Sequence, residues 1–355
     1  MINQGGFQIQ TRWGGGSVIK CHSLFDEIIS LDNLFSAWQE FSNGKNKKID
    51  VLQFKLNLEN NIFALHYELK IKTYRHSDYT AFNVCDPKLR RIHKATIKDR
   101  VLHHAIFRVL YPIFDKNFIF DSYSCRLEKG THRAVKRLEQ FSRKLSHNNQ
   151  KLIFALKCDI RKFFDSIDQG ILLKLIKQKI NDDNTLWLIG TIIKSFPKGL
   201  PLGNVTSQLF ANIYLNEFDQ FVKHKLKVKY YLRYCDDFIV LAEDKSCFAE
   251  LIKSANNFLQ AKLRLGIHPD KIILRKYSQG IDFLGYVVLP YQTVVRTKTK
   301  RRIFKKLGQK LQDYEKKLID KESFNQTVQS YLGVLSHAKS YKLSKEVGDK
   351  FKTKL

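Results

Sequence analysis

The sequence predicts a mixed α/β (α+β) protein in which an antiparallel sheet is enclosed by helices. Three observations predict it. Tyr230 to Leu241 reads as a hairpin, two runs of aromatic and β-branched residues meeting at a pair of aspartates. Leu152 to Asp159 is a continuous apolar run of the kind found in a central strand, and it ends on an acid. Apolar residues at three- and four-residue spacing dominate both flanks.

In chain order, residues 1–22 carry Gly5-Gly6 and Gly14-Gly15-Gly16 and read as a flexible glycine-rich lead, with Trp13 as a docking side chain. A helix follows from Leu24, with Phe25, Ile28, Ile29, Leu34, Phe35, Trp38 and Phe41 on one face. A second carries Val51, Phe54, Leu58, Ile62, Leu65 and Leu69. Residues 79–95 lose the helical period and contain Asp86-Pro87, which predicts strand, turn, strand with a cationic second arm, Lys88 to Lys94. Helices are predicted from Thr96 and from Gly130. His103-His104 read as packing or capping groups, since neither has a partner four residues on. After Asp159 the chain turns through Phe163-Phe164 into helices, with Asp165 or Asp168 as cap. Gly199 to Gln208 is a Gly/Pro loop that opens a helix through Phe218. Past the hairpin come a helix ended by Gly266, strands at 271–274 and 281–288, and a lysine-rich helical tail.

With 355 residues the chain is large enough for two or three packed subdomains. Sixty-two Lys and Arg against 34 Asp and Glu give a net charge of +28, which selects a polyanionic partner, and 12% aromatic residues supply stacking groups. No apolar run reaches the roughly 18 residues of a membrane span, and no signal-type segment is visible, so no membrane role and a cytoplasmic location are expected. The six cysteines form no CxxC pair. They predict small core residues rather than a zinc knuckle or disulfide framework.

Adjacent acids beside buried strands carry a repulsion and desolvation cost that a bound cation offsets. Asp159, Asp236 and Asp237, drawn from two strands, form a candidate constellation for metal-assisted phosphoryl transfer on nucleic acid.

The order strand–Asp–turn–Phe-Phe, Gly-loop–helix, then Tyr234-Cys235-Asp236-Asp237 resembles the palm of reverse transcriptases over residues 79–288. The resemblance implies a right-hand polymerase: an N-terminal helical extension (23–75), fingers (76–150), a palm (151–291, with finger elements near 169–200) and a helical thumb (292–355). It implies Asp159, Asp236 and Asp237 as the catalytic, metal-binding acids, with the Ile160 carbonyl as a further ligand. The metal is two Mg2+ ions, with Mn2+ a possible substitute. It implies Lys88, Arg90 and Lys271 as cations on the incoming dNTP, Phe164 as the aromatic gate against a ribose 2′-hydroxyl, and Phe283-Leu284-Gly285-Tyr286 as the primer grip.

Within that family, Leu202-Gly203-Asn204-Val205-Thr206-Ser207-Gln208 carries Leu where intron-type relatives have Gln, and Gln208 where they have Pro. Together with Ile97 to Ala105 and Gly130 to Val135, it resembles the reverse transcriptases of diversity-generating retroelements. That resemblance implies copying of a template-repeat RNA from a DNA primer with adenine-biased errors, for mutagenic retrohoming. Leu202 and Gly203 then border the nucleotide, and a small basic accessory protein is the expected partner. The alternatives are a retron or phage-defence reverse transcriptase, and a non-catalytic basic RNA-binding protein; the presence of all three acids speaks against the latter. Cys235, where relatives have Met or Ala, implies altered packing rather than thiol chemistry.

Overall fold

The computed structural model describes residues 23–85 and 89–351. The glycine-rich lead, Trp13 and Lys88 lie outside the described residues.

Each N-terminal helix predicted as one is two. Helix α1 (Leu24–Ile29) stops at Ser30, whose extended backbone ends it and whose hydroxyl accepts the Asn33 N–H to cap α2 (Leu31–Ser42). Asn57, at φ −121°, separates α3 (Ile49–Leu56) from α4 (Leu58–Lys70). Periodicity carries across such breaks because both halves bury their apolar stripes in the same core. Strands β1 (Thr80–Cys85) and β2 (Leu89–Lys94) form the expected antiparallel hairpin, exposed along β1. Thr96 then caps α5 (Ile97–Asp115), against which α1 to α3 and the later helix Val205–Gln220 pack.

After α6 (Thr131–Leu145), β3 (Phe154–Asp159) crosses the molecule. Short α7 (Phe163–Ser166), α8 (Gln169–Lys177), α9 (Asp183–Lys194) and α10 (Val205–Gln220) follow. Asp168, not exposed Asp165, caps α8 through the Ile171 N–H. The hairpin comes next as β4 (Tyr231–Tyr234) and β5 (Asp237–Ala242), then α11 (Cys247–Leu263) and β6 (Ile273–Lys276). These four strands make one antiparallel sheet in the order β4-β5-β3-β6, so β3 is internal, as its composition predicts. Leu156, Cys158, Phe238 and Val240 face the main helical core. Ala155, Leu232, Ile239 and Leu241 face a second core shared with α6 and the segment 277–288. A sheet covered on both faces reads as continuous apolar runs.

The run 281–288 is not one strand. It splits into β7 (Ile281–Phe283) and β8 (Tyr286–Val288), and β9 (Thr293–Val295) pairs with β8 across residue 292. Helices α12 (Thr297–Glu315), α13 (Lys321–Leu335) and the unanticipated α14 (Tyr341–Phe351) enclose a third core. Of the described cysteines only Cys158 is fully buried, and Cys85, Cys125 and Cys247 are exposed, against the expectation of core packing.

His103 is a buried packing group. Its Nδ1 lies 2.7 Å from the Thr206 hydroxyl and its Nε2 3.1 Å from His76 Nε2, joining α5 to the first turn of α10. Burial holds its pKa down at about 3, and that of neighbouring His104 at about 4. Both imidazoles stay neutral in the fold, whereas the unfolded chain takes protons below about pH 6.5. The stability these two imidazoles contribute is therefore complete above pH 6.5 and falls as the pH drops toward their folded values. Each histidine contributes a slope approaching 1.4 kcal/mol per pH unit, about the linkage limit. Urea midpoints at pH 7.0, 6.0 and 5.0 should show this decline, and His103→Gln should flatten it. An equal slope in the variant would assign it to other groups.

Candidate active site

The hairpin turn is two residues long, Cys235-Asp236, with Tyr234 opposite Asp237. Beside it, β3 runs antiparallel to β5 in the register Cys158–Phe238 and Asp159–Asp237. Sheet pairing thus places the third acid directly across from the second of the pair. A one-residue slip would turn the strand's side chains to the opposite face. Two backbone bonds lock the corner: the Ile160 N–H donates to the Asp236 carbonyl (3.1 Å) and the His268 N–H to the Asp159 carbonyl (2.8 Å). The Ile160 side chain is buried, so its backbone alone is available to the site.

Burial first, and then the Asp159 charge, push the Asp236 carboxyl above its usual range. Burial pushes Asp237 up to about 6, with Asp236 and Asp159 adding to the rise and Lys157 opposing it. Two lysines answer this crowding. Lys271 Nζ lies 2.5 Å from Asp159 Oδ1, and Lys157 Nζ lies 3.9 Å from Asp237 Oδ2. Lys271 sits in a short helical turn before β6 rather than in the predicted strand.

The donor chemistry fits a hard divalent cation: three mutually repelling carboxylates and a backbone carbonyl, all oxygen. Among the described residues no group of three or more His, Cys, Asp or Glu side chains is arranged as a metal site, and Lys271 occupies one of the three carboxylates, that of Asp159.

Phe163 is buried and Phe164 partly buried against the same helical core, their rings 5.3 Å apart, so Phe163 is core and Phe164 sits at its margin. The Phe164 carbonyl accepts the Leu200 N–H at 2.9 Å. This close approach requires Gly199: its φ is +67°, and a Cβ there would stand 2.2 Å from the Phe164 oxygen. Half-buried Leu202 and exposed Gly203 follow, and the Leu202 carbonyl accepts the His93 N–H of β2 (3.1 Å). The predicted loop is shorter than its sequence suggests, since α10 begins at Val205 and Gln208 lies exposed on its first turn. Gln208, Phe164 and Cys235 line one narrow cavity. The buried Cys235 thiol is held well above its usual pKa, in keeping with a packing role.

In the grip segment, Phe283 and Tyr286 are buried as a register pair, and Leu284 (φ +50°) and Gly285 (φ +91°) form the turn. Positive φ at both central residues is the type I′ geometry that matches strand twist. Leu-Gly is a weak signal for it, hence the misreading as one strand. Among the described residues no ion pair joins Arg90 to the acids; it stands exposed on β2 opposite Val84. Sequence reasoning passed over Lys157, which contacts Asp237 and lies 6.0 Å from the Phe283 ring centre, linking the acids to the grip. A lone cation in an apolar strand two residues before the acid was its signal.

Sheet pairing and the hairpin turn thus gather the three acids at one end of an antiparallel sheet. The family profile described as reverse transcriptase (RNA-dependent DNA polymerase) matches residues 85–288, more than half of the sequence, and the chain belongs to that family. Its fold is that of a right-hand polymerase. Among curated proteins it is similar to Protein YkfC of Escherichia coli strain K12, 24% identical over 241 residues, which cover 56% of this chain and 63% of that one. It is also similar to the group II intron-encoded protein LtrA of Lactococcus lactis subsp. cremoris, 25% identical over 271 residues covering 56% and 44%. The chain therefore spans about half the length of these two relatives. Among solved structures, apo telomerase from Candida tropicalis aligns over 66% of this chain and 60% of that one, at 13% identity and a TM-score of 0.46. No described helix is long and apolar enough to cross a membrane.

Proposed function

We propose that the chain is an RNA-directed DNA polymerase, with Asp159, Asp236 and Asp237 as its catalytic acids. The observation that carries this reading is the Asp159–Asp237 register pair with Asp236 on the adjoining turn. Palm 151–291 holds these acids, fingers 76–150 supply the β1–β2 hairpin, and 292–355 form the thumb. The three carboxylates and the Ile160 carbonyl would hold Mg2+. A divalent cation held there would supply Lewis-acid activation of the primer 3′-hydroxyl and charge neutralisation on the triphosphate.

The chain's own residues do the rest. Lys271, paired with Asp159, is the cation nearest the acids for the leaving pyrophosphate. Arg90, exposed on β2, supplies a cation for the triphosphate, and the resemblance implies Lys88 as a second. Phe164, braced by Leu200 and Gly199, closes the space that a 2′-hydroxyl would need. The Leu284-Gly285 turn supports the primer end between buried Phe283 and Tyr286. A template RNA, a DNA primer and dNTPs are the substrates, and the net charge of +28 suits them.

The finer reading is mutagenic retrohoming: copying of a template-repeat RNA with adenine-biased errors, assisted by a small basic accessory protein. Leu202 and Gln208, at positions where intron-type relatives carry Gln and Pro, support it. Leu202 has no polar group to offer beside the incoming base, so discrimination rests on shape alone. Leu202→Gln is expected to cut misincorporation opposite template adenine about tenfold, the lower range of one added polar recognition contact. Sequencing the cDNA measures it, and an unchanged error spectrum would sink the reading.

A further inference from the structure

The residue before Tyr234, at the end of β4, is a fully buried arginine. Arg233 is 1% exposed and its partner Asp219, near the end of α10, is 0% exposed. The pairing is bidentate, Nε to Oδ1 at 2.8 Å and Nη2 to Oδ2 at 2.6 Å. The remaining donors are also used: Nη2 reaches the Ser122 hydroxyl (3.1 Å), and Nη1 reaches Asn212 Oδ1 (3.3 Å) and the Cys235 carbonyl (3.0 Å). Tyr231 completes the Asp219 shell through its hydroxyl at 2.6 Å.

The Cys235 carbonyl belongs to the peptide that joins Cys235 to Asp236, so its direction sets where the Asp236 backbone, and with it the carboxylate, is aimed. Cys235 holds φ +55°, a conformation that costs a non-glycine residue energy and persists where surroundings enforce it. Of the turn's two carbonyls, Asp236's is held by the Ile160 N–H and Cys235's by the Arg233 guanidinium. A buried ion pair is a weak device for stability, since an isosteric neutral pair does as well. Its geometry suits aiming.

We infer that Arg233 is a positioning residue: anchored by Asp219, it fixes the Cys235–Asp236 peptide so that the Asp236 carboxylate meets metal and primer end. The inference rests on Asp236 being catalytic.

The test is the paired variant Arg233→Met/Asp219→Asn, which removes both charges and keeps an acceptor for Tyr231. Its melting temperature is expected to stay close to that of the parent chain and its primer–template Kd within about threefold, since no nucleic-acid contact is lost. Its single-turnover extension rate should fall about thirtyfold and its Mg2+ requirement rise, as for a reactive group displaced by a fraction of an ångström. Arg233→Lys, which keeps the charge but cannot reach Asp219 and Cys235 together, should show the same split to a smaller degree. It decides the matter if the double variant does not fold. A folded variant of either kind extending at the parent rate with the parent Mg2+ dependence would overturn the inference. Asp236→Asn run in parallel separates the two levels: if it is inactive and the Arg233 variants are not impaired, the aiming role fails alone. If Asp236→Asn itself extends primers, the catalytic reading fails.

Discussion

Asp236→Asn is expected to abolish primer extension in Mg2+ while leaving RNA binding within about twofold of the parent chain. Asp236 sits on the hairpin turn, its carbonyl tied to Ile160 and its carboxyl pressed upward in pKa by burial and by Asp159. An amide at that point relieves the repulsion and keeps the size, so the fold is not penalised. What is lost is a negative ligand for a cation whose charge stabilisation is worth several kcal/mol in the transition state. At about 1.4 kcal/mol per factor of ten, the rate should drop by roughly three orders of magnitude or more. RNA affinity comes mainly from cations on phosphates, which this substitution does not touch. Single-turnover extension beside filter binding measures both. Retained synthesis would refute the catalytic assignment, and lost RNA binding would point to a folding defect instead.

Phe164→Val should admit ribonucleotides. The side chain is partly buried and leans on buried Phe163, while its backbone is held by Leu200 against the Gly199 turn. Its ring thus stands on a fixed platform, and shortening it removes bulk without moving the main chain. Stability should change by about 1 kcal/mol, the modest end for a partly buried aromatic. Discrimination between dGTP and GTP, read as the ratio of kcat/KM, should fall roughly a hundredfold, the upper range for steric selection by a single side chain. If the ratio holds, Phe164 is core and the gate lies elsewhere.

The two substitutions test different layers of what the sequence carries. Asp159, Asp236 and Asp237 were legible because Asp159 ends and Asp237 begins a strand whose apolar composition marks it as buried, with Asp236 on the turn beside it, and acids in that setting need a reason. The Phe163-Phe164 pair was legible as a pair, but composition cannot say which ring is core. That was decided by Phe163 entering the helical core beneath β3. The Leu202–Gln208 motif was read correctly as a glycine-containing lead into a helix, yet its boundary was not: Val205 to Gln208 already belong to α10. Ser30 and Asn57 each split a predicted helix, because a periodic apolar stripe reports which face is buried and not whether the backbone between is continuous.

The sequence by itself determined the succession of the main strands and helices around the hairpin, the three acids, the cationic excess and the family these features resemble. All of these depend on local composition and on period-two or period-3.6 patterning, which survive without knowledge of contacts. The tertiary structure alone decided the Asp159–Asp237 register, the Gly199 approach to the Phe164 carbonyl, the reach of Lys157 and Lys271 to the carboxylates, and the buried Arg233–Asp219 pair. Each joins segments tens of residues apart. A single chain offers no local signal for such partnerships, because they arise from sheet pairing and packing between distant elements.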